Sequence, residues 1–260
     1  TSCIIRPMSA KVRNPFAFIS DPGLYHDYRP RYQDELLSCL KNYFRTSPQN
    51  ALDVACGTGH STETLSKLCT HVVGVDSSQE MIAEAKKRYK DLVFVIGEAE
   101  SLPFEGDTFD LVNISMGLHW VDHHLFLAEV SRVLKKTGHL VTDNFGFEGV
   151  VSEVELEQDE HFRFFEDFLP EAKRNKSYSE KGLLHVNSLI LKEEYSFKKA
   201  VVMDEETFIH FIQTTSNFLI LPEDEKRSVL KKMTSLYERI FKEGNLKLGF
   251  GGEIKIYQKL

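Results

Sequence analysis

A chain of 260 residues, 42% hydrophobic and 27% charged, can bury a sizeable core, and its length suits one α/β domain with insertions. A formal charge of −7 argues against a nucleic-acid partner, whose phosphates call for clustered Lys and Arg, and no stretch is apolar enough to span a bilayer. The default partner is a small molecule, with no nucleic acid and no membrane, and nothing in the sequence fixes an oligomeric state.

Cys3, Cys39, Cys56 and Cys69 fall in no CxxC or metal-finger spacing, which points to a reducing compartment and a cytoplasmic protein. Residues 1–13 read as lying outside the fold, with Met8 as a native start, and 14–260 as a single domain. In the arm "DPGLYHDYRPRY" (21–32), Pro22-Gly23 and Pro30 argue against continuous helix. Leu36, Leu37, Leu40, Tyr43 and Phe44 then recur at helical spacing.

"ALDVACGTGH" (51–60) is an apolar run ending in Gly57 and Gly59, and Leu65 and Leu68 follow one helical turn apart, so a glycine loop joins a strand to a helix. "HVVGVD" (71–76) is a second strand, and Ser77 with Glu80 forms a capping box before Met81, Ile82 and Ala85. Strands are expected at "LVFVI" (92–96), "FDLVNIS" (109–115) and "GHLVTDNF" (138–145), with a helix presenting Phe126, Val130, Val133 and Leu134 between the last two. Five strands alternating with helices imply a parallel sheet covered on both faces, with ligands beyond the carboxyl ends of its strands.

Residues 146–191 and 204–245 read as a helical lid over that edge. Phe208, Phe211, Ile212 and Thr215 share one face there, and Val229, Leu230, Met233, Tyr237 and Ile240 another. "KEEYSFKK" (192–199) and "GGEIKIYQKL" (251–260) supply two more strands, completing a Rossmann-like, seven-stranded, mostly parallel sheet. The core is expected over about 33–145 plus strands near 192–199 and 252–259.

A dinucleotide loop wants a third glycine where Thr62 stands, and a P-loop wants Lys-Ser or Lys-Thr where His60-Ser61-Thr62-Glu63 follows. What remains is a tight turn flanked by strand-end acids, Asp53, Asp76 and Glu98. Carboxylates repel a pyrophosphate but accept a cation, and Asp76 stands where an acid can take ribose hydroxyls. A cationic nucleoside with an amino-acid tail, S-adenosylmethionine, fits this set better than NAD.

"LDVACGTGH", "VVGVDSSQEMI", "GEAESLPFEGDTFDLV" and "RVLKKTGHLV" resemble the successive motifs of class I S-adenosylmethionine-dependent methyltransferases, in order and at the right separations. "YHDYRPRY", His119-Trp120, "FIHFIQTTSNF" and "EIKIYQK" are further similar to the trans-aconitate methyltransferase-like branch, so the resemblance covers residues 14 to 260. It implies a methyltransferase that takes S-adenosylmethionine, leaves S-adenosylhomocysteine, and methylates a small-molecule acceptor, with a carboxylate as one candidate. The implied cofactor-binding set is Tyr25, Arg29, Asp53, Ala55, Gly57, Gly59, Asp76, Ser77, Met81, Glu98, Ala99 and Ser115. Asp53 with Gly57 and Gly59 would hold the methionine part, Asp76 the ribose, and Glu98 with Ala99 the adenine edge.

The chain departs from the pattern at Ala55, where a glycine is usual, and at "KKTG" (135–138), which lacks the customary Pro-Gly turn. His119 and Trp120 follow the fourth strand, where acceptor and methyl group should meet, and are the catalytic candidates. His119 could take a proton from a hydroxyl, thiol or amine, whereas a carboxylate acceptor needs no base. Adjacent His123 and His124 near His119 do not make a metal site. A nicotinamide oxidoreductase and a non-catalytic binding module are the rival readings, and Arg29 is expected to pair with a carboxylate in the site.

Overall fold

The computed structural model describes residues 21–150, 189–240 and 246–260. The expectations for 1–13, for the interior of the 146–191 span and for 241–245 lie outside the described residues. Pro22–Tyr28 forms a helix (α1) within the arm, separated from the next helix, so the arm is not one continuous helix. Pro22 sits in its first turn, where a missing N–H costs nothing, and Asp21 Oδ1 caps it by accepting from Leu24 N at 3.0 Å. Pro30 does end the segment, and α2 follows at Gln33–Tyr43.

The central order is β1 (Asn50–Val54), α3 (His60–Ser66), β2 (His71–Asp76), α4 (Gln79–Arg88), β3 (Val93–Ile96), β4 (Phe109–Ser115), α5 (His123–Val133) and β5 (Leu134–Val150). Among the described residues no helix joins β3 to β4, which a loop from Gly97 to Thr108 connects instead. The cap of α4 is one residue later than expected. Ser78, not Ser77, accepts from Met81 N at 3.2 Å, and its hydroxyl donates to Glu80 Oε2 at 3.1 Å.

β6 (Leu189–Met203), α6 (Glu205–Gln213), α7 (Ser216–Leu219), α8 (Glu223–Ile240) and β7 (Leu246–Lys259) complete the described chain. The sheet order is β3-β2-β1-β4-β5-β7-β6. β1 to β5 pair in parallel, and β7 runs antiparallel to both of its neighbours.

The last three strands are longer than the sequence suggested. β5 reaches Val150 and β6 begins at Leu189, so both ends of the span read as helix are strand. The cause is the period-two run Phe145, Phe147 alternating with Asn144, Gly146 and Glu148. β7 pairs it with glycine opposite the first aromatic residue (Phe145↔Gly252) and an aromatic opposite the second (Phe147↔Phe250).

Adjacent strand residues go to opposite faces. Leu52, Val112 and Leu140 pack under Phe126, Leu127, Val130 and Val133 of α5. Ala51, Leu111, Val141 and Ile254 pack under Leu36, Leu40 and Leu65 of α2 and α3. A separate core joins the long strand ends to the C-terminal helices through Phe145, Phe208, Phe211, Ile212, Val229, Met233 and Phe250. Burying each such side chain contributes about 1.5–3 kcal/mol, which pins α6 to α8 over the carboxyl ends of the strands. Thr215 leaves the expected helical face to cap α7, accepting from Phe218 N. The side chains of Tyr237 and Ile240 lie outside the described residues.

Candidate functional site

The order of the strands places a crevice between β1 and β4, because β2 and β3 extend the sheet one way and β4 and β5 the other. A cavity of about 520 Å³ opens there. Ala55, Gly57 and Thr58 line it from the end of β1, Ser115 and Met116 from β4, and Asn144, Phe145 and Phe147 from β5. Tyr25, Arg29 and Tyr32 close it from the arm, and Phe211, Thr215, Ser216 and Asn217 from α6 and α7. Arm, lid and strand ends therefore share one cavity.

Its wall is locally strained. Ala55 (φ 54°) and Met116 (φ 55°) both hold left-handed backbone, which costs a non-glycine residue about 1–2 kcal/mol. Ala55 thus keeps the turn that a glycine would make at less cost. Gly57 (φ 55°) has open space where a Cβ would project. Gly59 (φ 92°) serves packing instead: a Cβ there would stand 2.9 Å from Phe94 Cζ and 3.0 Å from Tyr89 Cδ2.

Asp76 fixes the glycine turn. Its Oδ2 accepts from Gly57 N at 2.9 Å and its Oδ1 from Ser78 N at 2.8 Å. Burial nonetheless raises its pKa, against those backbone donors. Asp53 is sealed beneath the turn, where Ser61 Oγ (2.7 Å), Thr62 Oγ1 (2.6 Å) and Asn113 Nδ2 (2.8 Å) all donate to it, and burial pushes it up to about 6. Thr62, in the place of the third glycine, joins Ser61 in tying α3 to β1 through this carboxylate.

A second buried carboxylate lies under the other end. Asp143 on β5 accepts from Ser115 Oγ at 2.6 Å and from the hydroxyl of Tyr32, and burial lifts it to about 7, with the Asp53 charge adding to the rise. Asn113 Nδ2 donates to both Asp53 Oδ1 and, at 3.0 Å, Ser115 Oγ, so one polar chain runs beneath the cavity from α3 to the arm.

His60 also lines the cavity. Its Nε2 lies 2.9 Å from the carbonyl of His26 and must donate to it, which leaves Nδ1 to accept from Tyr89 Oη at 3.2 Å. Burial drives its pKa down to about 3, so the ring stays neutral and ties the arm to α3 and α4.

Of the residues expected from the sequence, Tyr25, Arg29, Ala55, Gly57, Ser115, His119 and Trp120 line the cavity. His119 and Trp120 sit on a 3-10 turn after β4, with ring centroids 4.7 Å apart. Arg29 lies over the rings of Tyr25 (5.1 Å) and Phe211 (5.9 Å), so it packs on aromatic faces. Asp53, Gly59, Asp76, Ser77, Met81, Glu98 and Ala99 stand outside the lining. Met81 is buried, and Ser77 and Glu98 are exposed at the ends of β2 and β3. Sequence reasoning missed His60, Asn113 and Asp143. Asp143 carries the same strand-end signal that singled out Asp53, Asp76 and Glu98, and Asn113 is the polar residue inside an apolar strand.

Residues 52–142, which span β1 through β5 up to the buried Asp143, match the sequence profile described as a methyltransferase domain. Residues 52–142 thus carry the sequence pattern of a methyltransferase domain. A demethylmenaquinone methyltransferase of Thermotoga maritima is 39% identical over 98 residues, 36% of this chain and 43% of that protein. An uncharacterized methyltransferase of Mycobacterium tuberculosis is 32% identical over 139 residues, 54% of each chain. The chain spans about half the length of the curated relatives it matches. A solved structure from Anaeromyxobacter dehalogenans, described as a type II methyltransferase, superposes with a TM-score of 0.66 at 20% identity, covering 89% of this chain and 97% of that one. That last likeness is one of fold, and it runs well beyond residues 52–142.

Proposed function

We propose that this methyltransferase domain binds S-adenosylmethionine and transfers its methyl group to a small-molecule acceptor, releasing S-adenosylhomocysteine. The observation that carries this reading is the lining at the β1 end. Gly57 leaves open space at the turn, and beside it Thr58 lines the cavity, its Oγ1 buried and without a partner among the described residues. A ligand that lies against the Gly57 backbone and offers Thr58 a polar partner meets both conditions.

When bound, the cofactor supplies a methyl group on a sulfonium, so the protein needs no nucleophile of its own. Asp76 holds the Gly57 turn in place, and Asp76, Ser77, Met81, Glu98 and Ala99 are assigned to the nucleoside end. Arg29 offers its guanidinium to a carboxylate of the cofactor tail or of the acceptor. Trp120, Phe145, Phe147 and Phe211 exclude water from the transfer, and His119 bounds the acceptor end. The aromatic wall supports a flat or apolar acceptor, and the demethylmenaquinone methyltransferase relatives are named for an acceptor of that kind.

Mass spectrometry of ligand copurifying with the protein, followed by tritiated-methyl transfer to a panel of phenols, thiols, amines and small acids, tests the proposal. Label entering one class of acceptor is expected. Neither copurified or added cofactor nor any transfer would leave a non-catalytic module.

A further inference from the structure

Two hydroxyls on the cavity wall converge on one buried carboxylate. Ser115 Oγ, at the end of β4, donates to Asp143 Oδ2 at 2.6 Å, and Tyr32, at the start of α2, donates to Asp143 Oδ1. Both residues line the cavity, whereas Asp143 is 5% exposed behind them. Asn113 Nδ2 donates to Ser115 Oγ as well, so this hydroxyl is held in place on the wall beside Asp143. An apolar side chain would fill the space behind the wall at less cost than a carboxylate met only by neutral hydroxyls. Such an arrangement is characteristic of a group that changes charge during a reaction.

Resting on the methyl-transfer reading above, we propose that Asp143 is the terminal proton acceptor of the reaction, reached through the hydroxyls of Ser115 and Tyr32. The acceptor is accordingly an un-ionised X–H group, such as a hydroxyl or thiol, and not a carboxylate. The bond from X to the methyl carbon forms as the carbon–sulfur bond breaks, its electron pair going to sulfur. The X–H proton passes to a wall hydroxyl while that hydroxyl's own proton moves to Asp143, which becomes a neutral acid. The proton returns to solvent after the products leave.

Desolvation suits Asp143 to this task by placing its pKa near 7, where a base is both deprotonated and basic. The titratable groups that act on this pair are Asp53 from β1 and Tyr25 from α1, and the charge of Asp53 adds to the rise at Asp143.

Asp143→Asn keeps the shape and removes the proton acceptor. With un-ionised phenol and alkanethiol acceptors, kcat should fall on the order of a hundredfold. With an arenethiol already ionised at the assay pH, the loss should nearly vanish, because no proton remains to be taken. A double variant, Tyr32→Phe with Ser115→Ala, should show the same dependence on acceptor acidity. Calorimetry with S-adenosylhomocysteine keeps the two readings apart: unchanged affinity in Asp143→Asn isolates the proton step, whereas no binding by the wild type removes the cofactor reading itself. An equal loss for ionised and un-ionised acceptors, transfer to carboxylates alone, or transfer to no X–H acceptor overturns the proposal.

Discussion

Asp143→Asn also gives a stability measurement that needs no substrate. Burial holds Asp143 at about 7 in the folded chain against an ordinary 3.8. A carboxyl whose pKa is raised by folding binds its proton more tightly in the folded state. Its contribution to stability is therefore complete below the unfolded value and is lost as pH rises through about 7. The Asn variant has no such loss. Relative to wild type it should gain roughly 2–3 kcal/mol between about pH 5 and about pH 8, taking about 1.4 kcal/mol per pKa unit.

His60 works in the opposite direction, since its pKa is pushed down to about 3 and its stabilising effect is lost as pH falls below the ordinary histidine range. Because His60 is common to both proteins, it cancels in the difference. Urea unfolding of wild type and Asp143→Asn at the two pH values gives that difference directly. A gap between the proteins that does not change with pH would mean that Asp143 titrates alike folded and unfolded, and would refute the reasoning.

Gly59→Ala should lower the melting temperature, at a cost of about 1–3 kcal/mol, because the new Cβ presses on Phe94 and Tyr89. Gly57→Ala meets open space and should cost only about 1 kcal/mol of left-handed strain, yet weaken S-adenosylhomocysteine more than about tenfold, as calorimetry would show. Asp76→Ala removes the acceptor of the Gly57 and Ser78 amides, so cofactor affinity should fall by about 1.5–3 kcal/mol, and faster amide exchange at Gly57 would accompany it. Arg29→Ala gives up contact with the Tyr25 and Phe211 rings, about 0.5–1 kcal/mol of stability, while turnover should fall at least about tenfold; normal turnover would reduce Arg29 to packing.

Much of the fold was legible because local periodicity dictates it. "HVVGVD" and "FDLVNIS" are β2 and β4 as observed, since apolar runs of that length between turn residues have one good solution. The break at Pro30 was legible, but the short helix before it was not, because Pro22 was weighed as a breaker when, at a helix start, it is an initiator. "GFEGV" (146–150) was read as helix because its glycines obscure a two-residue period that only β7, more than a hundred residues later, completes.

The glycine turn and the arm arginine of the site could be found from motif and position. The Tyr32–Asp143 pair could not be found by local spacing, because its partners are 111 residues apart and meet only when the arm crosses the ends of β4 and β5.

Titration calorimetry of the purified protein with S-adenosylhomocysteine tests the central claim most directly. The account predicts one molecule bound per chain, with affinity lost in Gly57→Ala and retained in Asp143→Asn. No heat of binding at about millimolar ligand, from a protein shown by its unfolding transition to be folded, would contradict it.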